Sequence, residues 1–459
     1  MIERTKYLLA DEDTPTAWYN LAADLPELAP KRNPGTGADI TVDDLLPFVC
    51  RDIAEQELST ERYVEIPDEV RQIYTQWRPS PLVRARRLER ALDTPARIYY
   101  KYEGGSPAGS HKPNTAIPQV YYNKAAGITQ LVTETGAGQW GSSLSFAGAY
   151  FGVDVRVYMV RASFHQKPYR RLLMETYGAT CVPSPSEDTE TGRKRLAERA
   201  EHPGSLGIAT GEAMEIAFHN PHVNYAGGSV LNHVLLHQSV IGQEALAQMA
   251  LADDYPDVVV GCAGGGSNLG GLTFPFIGEQ LRGGRRVRVV AAEPAACPTL
   301  TRGRLAFDFG DSGGFSPLFR MHTLGNDFVP PSMHAGGLRY HGMSPLVSSA
   351  VEAGLIEPVA LRQRACFEAG ILFARNEGIV PAPESTHAIR GAIAEALAAK
   401  EEGRPRTILF GLSGHGHFDL AAYEQALAGT LEDDIYDAAG VEAALTNLPA
   451  QERPALLDA

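Results

Sequence analysis

Directly after the apolar run Val258-Val259-Val260 the chain reads Gly-Cys-Ala-Gly-Gly-Gly-Ser-Asn-Leu-Gly-Gly over 261–271, six of these eleven residues being glycine. A β-branched run that ends in glycines marks a buried strand turning sharply into the next element. Without Cβ atoms, successive N–H groups can converge on one anion, and a helix start beyond them adds its positive end. A dinucleotide-binding turn is the rival reading, with Glu293 at the end of the next strand as its ribose partner. Its spacing fails, because a count from Gly264 puts Leu269 where the third glycine belongs, and no GxxxxGK[ST] is present. A cup for a single phosphate is the better reading. Such a cup presupposes a helix-covered parallel sheet, whose ligands sit at the carboxyl ends of the strands.

The rest of the chain agrees with that sheet. Arg97–Lys101, Gln130–Thr133, Val155–Val160, Val258–Val260, Val287–Val290 and Thr407–Phe410 read as strands. Helical stretches such as 115–126, 141–151 and 167–177 lie between them, so the pattern is α/β with mostly parallel strands. At 459 residues and 44% hydrophobic content, the chain suits two α/β domains. The expected division is a helical N-terminal extension over 1–90 packed on the core, α/β domains over 91–225 and 226–430, and a tail over 431–459. In the extension, Thr41 caps a helix bearing Asp43 and Asp44. Pro67 opens another, whose Val70, Ile73, Tyr74 and Trp77 form a core-facing stripe.

The net charge of −14 argues against a nucleic-acid or anionic-membrane partner. The basic clusters at Arg84–Arg87 and Lys167–Arg171 read as solvated faces or small-anion contacts. Cys50, Cys181, Cys262, Cys297 and Cys366 are scattered and form no CxxC pair, which suits reduced thiols in a cytoplasmic protein. The first residues lack the layout of a signal peptide, and no apolar run is long enough to span a bilayer.

Three further segments carry chemistry. Gly109-Ser-His-Lys112-Pro-Asn-Thr115 places a lysine on a loop leading into a helix. A lysine whose pKa is lowered can form an imine with a carbonyl, although a loop lysine is more often merely solvated. Glu134-Thr-Gly-Ala-Gly-Gln139-Trp-Gly follows a strand, so its turn can present N–H groups to a carboxylate. Glu134 there is either a surface charge or a catalytic acid. Leu412-Ser-Gly-His-Gly-His417 follows a strand as well, and is neither a GxSxG elbow nor a convincing metal site.

Together these segments resemble the β-subunit of tryptophan synthase, within the fold-type II pyridoxal-phosphate enzymes. HKxN, ETGAGQxG, GGGSN, EGIxPAxES and LSGxG occur in the family's order between about 79 and 420. The resemblance implies that Lys112 forms the imine with pyridoxal 5'-phosphate and later shuttles protons. It implies that His111, Asn114, Gly264, Gly265, Gly266, Ser267 and Asn268 hold the cofactor, with Glu384 beside its ring and Ser413 at its pyridine nitrogen. Thr135, Gly136, Ala137, Gly138 and Gln139 would grip the substrate carboxylate. A neutral serine at the ring nitrogen disfavours carbanion build-up and suits β-elimination. Glu134 would then support attack by indole on an aminoacrylate, giving L-tryptophan and water from L-serine and indole.

The chain departs from the commonest β-subunits in its long N-terminal extension, in Trp140, and in Gly337-Leu-Arg339-Tyr-His-Gly342. These features resemble the divergent second β-subunit group. Arg339 stands where an aspartate is usual, which admits O-phosphoserine as an alternative donor. Gly264, Tyr340 and Gly342 match the carbonyls that bind a monovalent cation, K+ or Na+, in the family. A homodimer and an α-subunit that delivers indole are implied partners. A serine or threonine dehydratase is the competing enzyme, for which Glu134 would have no use. A non-catalytic relative is the third possibility, against which the intact lysine, cup and glutamate argue.

Overall fold

The run Val258–Cys262 is buried along its whole length, as the middle strand of a helix-covered parallel sheet must be. In the computed structural model, which describes residues 3–331, 333–433 and 436–449, it pairs in parallel with Arg288–Pro294 and Thr407–Leu412. The sheet continues in parallel to Glu357–Leu361 on one side and to Arg97–Tyr102 on the other. Two short antiparallel strands, Leu82–Arg84 and Lys6–Tyr7, complete a seven-stranded sheet. A second sheet has four parallel strands in the order Val223–Tyr225, Gln130–Thr135, Asp154–Val160 and Thr180–Ser184. All six strands read from the sequence lie in these two sheets. Among the described residues no helix is long and apolar enough to cross a membrane.

Two expectations are corrected. Residues 1–90 are not mostly helical: Pro15, Pro26, Pro30, Pro34 and Pro47 interrupt them, and the helices Val42–Leu45, Arg51–Leu58 and Asp68–Tyr74 are short. Short strands of two or three residues are interspersed with them. Ala17–Tyr19 pairs with Tyr63–Glu65, and Lys31–Arg32 joins an unforeseen antiparallel hairpin of Arg304–Phe309 and Leu318–Thr323. Second, a division at residue 91 does not follow sheet membership. Arg97–Tyr102, expected with the first α/β domain, pairs instead with Thr407–Leu412 in the larger sheet. The tail over 431–459 carries the helix Ala438–Thr446; its residues 434–435 and 450–459 lie outside the described residues.

The extension reaches the lysine loop directly. The helix Pro113–Ala125 begins just after Lys112 and contains Pro118, which has no N–H to offer the carbonyl of Asn114. The buried Tyr74 hydroxyl donates to that carbonyl instead, and Trp77 Nε1 donates to Asn114 Oδ1 at 3.1 Å. Of the stripe foreseen at Val70, Ile73, Tyr74 and Trp77, the first three are core and Trp77, just beyond the helix, is partly buried against it; Tyr74 and Trp77 clamp the lysine helix.

Beside it lies a buried charge cluster. Arg78 donates at 2.9 Å to Glu244, Glu103 and Asn114 Oδ1, and Lys101 donates to Glu244 at 2.6 Å. The four charged side chains are at most 1% exposed. Two cations and two carboxylates cancel, which is what makes such burial tolerable. Burial alone would raise Glu103, but Arg78 and Lys101 outweigh it and hold the carboxyl down at about 2.

Candidate active site

Each of the four segments read as functional leaves the carboxyl end of a parallel strand, and the structure gathers them into one cleft. The phosphate-cup run leaves Val258–Cys262 and enters the helix Ser267–Leu281 through Gly266, whose φ is +103°. Glycine is required there for conformation and at Gly264 for space. A Cβ on Gly264 would stand 2.6 Å from the Gly337 carbonyl oxygen. Asn268 is buried, and its Nδ2 has no hydrogen-bond partner among the described residues. His111 Nε2 lies 3.3 Å from Ser267 Oγ, and burial pushes this histidine down to about 3. A cradle of glycine amides, a helix start, the unspent Asn268 amide and a neutral histidine fit a phosphate.

The cavity at this cup has a volume of about 510 Å³ and is also walled by Lys112, Gln139, Glu384 and Ser413. A second cavity of about 420 Å³ is walled by Glu134, Thr135, Gly136, Ala137 and Trp140. Lys112, Gln139, Ser229, Gly265 and Gly337 line both, so the two form a continuous site around the lysine. Lys112 Nζ donates to the Gly228 carbonyl at 2.9 Å. Burial pushes its ammonium down to about 8 against the nearby Glu134 and Glu384 carboxylates, so a reactive neutral amine is accessible near neutral pH.

The Gly136–Gly138 turn opens the helix Gln139–Phe151, with Gly138 at φ +100°. The first N–H groups of a helix lack acceptors within it and suit a carboxylate. Thr135 turns its hydroxyl to the Gly141 N–H at 3.2 Å, and Trp140 Nε1 donates to Thr133 Oγ1 at 2.6 Å. Burial raises Glu134 to about 7, opposed by its hydrogen bond with Tyr225 and by the charge of Lys112. Glu134 also borders a third cavity of about 780 Å³, whose walls include Leu45, Phe48, Met214 and Leu231.

At the opposite wall, Ser413 Oγ lies 2.7 Å from Ser385 Oγ and 3.7 Å from Cys262 Sγ. No cationic or anionic group shares those contacts. Glu384 accepts from the Gly337 N–H at 2.8 Å through one oxygen, and its other oxygen has no partner among the described residues. Ser385 and Gly228 were missed in the sequence, although Ser385 ends the EGIxPAxES motif and Gly227-Gly228 is a glycine pair after a strand.

Of the residues expected at the site, Asn114 lies outside both cavities and Arg339 stands at their edge. Asn114 is fully buried, and its amide is spent on Arg78, Trp77, Glu103 and Gln238, so it positions the lysine helix and lines neither cavity. Arg339 donates to Ser163 at 2.7 Å and borders a small cavity that shares Gly136, Leu206 and Gly336 with the Glu134 cavity. Of the expected cation carbonyls, that of Tyr340 accepts from Thr299 Oγ1 at 3.1 Å. Glu293 has a different use from a ribose contact: it accepts from the Leu300 and Thr301 N–H groups at 2.8 Å and from the Thr301 hydroxyl at 2.6 Å.

The family model described as pyridoxal-phosphate dependent enzyme matches residues 73–414. The chain is 55% identical over 431 residues to "Tryptophan synthase beta chain 2" of Methanosarcina acetivorans, covering 94% of this chain and 98% of that one. It is 56% identical over 416 residues to the protein of that name from Thermotoga maritima, covering 90% and 98%. Among solved structures, a fungal L-serine ammonia-lyase from Rhizomucor miehei has a TM-score of 0.56 at 17% identity, covering 77% of this chain and 98% of that one. Threonine deaminase isoform 2 from Solanum lycopersicum matches with a TM-score of 0.56 at 16% identity, covering 79% and 88%. These two likenesses bear on the fold alone. The fold, the phosphate-fitting cup beside an amine and the extent of identity lead to one assignment: the chain belongs to the pyridoxal-phosphate dependent enzyme family, among the tryptophan synthase beta chains of the second group.

Proposed function

We propose that the protein condenses L-serine with indole to give L-tryptophan and water. The observation that carries this reading is the position of Glu134, which borders both the lysine cleft and the largely apolar 780 Å³ cavity behind it. A flat apolar nucleophile with one N–H donor suits such a place: its ring meets Phe48, Leu45 and Leu231, and its N–H meets a carboxylate.

Pyridoxal phosphate, when bound, would supply an electron-withdrawing ring linked through the substrate's amino nitrogen to Cα. The residues that would hold it are Gly264, Gly265, Gly266, Ser267, Asn268 and His111 at its phosphate, with Ser413 at the ring nitrogen and Glu384 beside the ring. Lys112 would bind its carbonyl carbon and then move the Cα proton. Gly136–Gln139 hold the serine carboxylate by backbone N–H groups, which orients Cβ toward the apolar cavity. Glu134 accepts the indole N1 hydrogen bond, so that positive charge arising on indole as C3 attacks Cβ meets a carboxylate. The neutral Ser413 hydroxyl donates no full charge to the ring, which favours loss of a β-substituent over transamination.

The same reading includes Na+ or K+ at the carbonyls of Gly264, Tyr340 and Gly342, a homodimer in the cytoplasm, and an α-subunit as one source of indole. The test is product analysis. Tryptophan should form from serine plus indole, and pyruvate formed from serine alone should fall when indole is added. Pyruvate formation unaffected by indole would overturn the reading in favour of a dehydratase.

A further inference from the structure

The apolar cavity has a polar corner that the proposed reaction does not use. His233 lines it, is 1% exposed, and sits at the start of the helix Asn232–Gln238. Its backbone N–H and Nδ1 both approach one oxygen of Glu57, at 3.0 and 2.7 Å. Lys31 holds the other oxygen of Glu57 and donates to the Glu57 carbonyl at 3.0 Å. Burial alone would raise the Glu57 carboxyl, but Lys31 and His233 bring it down to about 2, so it is a fixed anion. Facing that anion, Nδ1 carries the ring proton and donates it as a hydrogen bond, which leaves Nε2 as the acceptor. Nε2 is buried and has no partner among the described residues.

The other polar walls are already committed. Thr210 Oγ1 donates to Leu206 O at 2.8 Å, Ser316 Oγ accepts from the Gly310 N–H at 2.7 Å, and Tyr340 Oη donates to Gly310 O at 2.6 Å. Tyr225 is hydrogen-bonded to Glu134, and Ser229 lies at the mouth shared with the lysine cleft. His237, in ring contact with His233, spends Nδ1 on Thr115 and Nε2 on Gln56. A buried acceptor left unpaired on a residue that walls an apolar cavity is costly unless a ligand supplies the donor.

We infer that His233 is a specificity-determining residue for the nucleophile, its Nε2 accepting a hydrogen bond from a hydroxyl or amino group on the benzene ring of an indole. This rests on the proposed use of the cavity for indole. A donor at the matching ring position satisfies Nε2, whereas a methyl group of similar size there leaves it unpaired.

The probes are the 4-, 5-, 6- and 7-hydroxyindoles, each competed against the methylindole of the same position with serine as co-substrate. In the wild-type holoenzyme, one position should give a hydroxy-to-methyl ratio of kcat/KM clearly above those of the other three. His233→Phe should lower that ratio by roughly tenfold, the worth of one such hydrogen bond. His233→Gln, whose amide oxygen can stand in for Nε2, should retain most of it. A ratio is blind to general damage, so a merely structural role for His233 would leave it unmoved. Equal ratios at all four positions in the wild type, or an unchanged ratio in His233→Phe, would overturn the inference while leaving the indole reaction standing. Failure of indole itself to react would overturn both.

Discussion

Replacing Arg78 by leucine tests whether the buried charge cluster holds the lysine helix in place. The change removes three hydrogen bonds of 2.9 Å, to Glu244, Glu103 and Asn114, and leaves two buried carboxylates facing Lys101 alone in that cluster. Breaking a buried pair from one side costs about 3–5 kcal/mol, because the partner charge stays uncompensated. The Glu103 carboxyl gives an independent measure. Its descent from 4.5 to about 2 is worth about 3 kcal/mol, at about 1.4 kcal/mol for each tenfold change in proton affinity. A folded-state pKa below the unfolded one contributes stability that is complete above pH 4.5 and fades as pH falls toward 2. In the leucine variant Arg78, the strongest opponent of burial at Glu103, is gone, and the folded pKa moves up instead. The stability lost is therefore largest at pH 8 and shrinks toward pH 5, where Glu103 can take up a proton. Urea unfolding of variant and wild type at pH 8 and pH 5, read as midpoints at constant slope, measures this. A loss below about 1 kcal/mol at pH 8, or the same loss at both pH values, would refute the reasoning.

Tyr74→Phe removes the donor that replaces the missing N–H of Pro118, and should cost about 1–3 kcal/mol in the same assay. Gly266→Ala forces a side chain into a φ of +103° with its Cβ 2.9 Å from Val347. It should cost about 1–3 kcal/mol and loosen cofactor retention, seen as bleaching of the bound-cofactor absorbance on dialysis. Glu134 has its folded pKa raised to about 7, so its favourable contribution is present below pH 4.5 and lost as pH rises through 7. Apo Glu134→Gln should therefore match the wild type near pH 4.5 and exceed its stability by up to about 3 kcal/mol at pH 8, while tryptophan formation collapses. Thermal scans across pH check the first part and product assays the second.

What the sequence disclosed depended on how local its causes were. Val258–Val260 and Thr407–Phe410 announce themselves because a strand buried on both faces needs an unbroken apolar run. Glu357–Leu361 and Val223–Tyr225 were not read, since an edge strand with Pro358 and a three-residue strand leave no such run. The glycine cup was legible because backbone shape forces glycine. The company of Lys112 and Ser413 was less so: Gly228 meets the lysine and Ser385 meets the serine only through the packing of the sheets. Asn114 was read in the right motif but in the wrong role, because nothing local tells which way an amide points. Arg97–Tyr102 was a legible strand whose sheet was not, since its partner lies 310 residues away.

The hydrogen bonds that join residues 57–78 to Asn114 and His233 bear on how such enzymes are recombined. The family-matched span 73–414 contains Lys112, the cup and Glu134, yet Ile40, Leu45, Phe48, Val49 and Glu57 wall the apolar cavity from outside it. A chimera joined at residue 73 would keep the chemistry of one parent and inherit the substrate chamber of both. Crossovers between relatives should therefore move residues 40–57 together with 206–233, as a single heritable module for nucleophile choice.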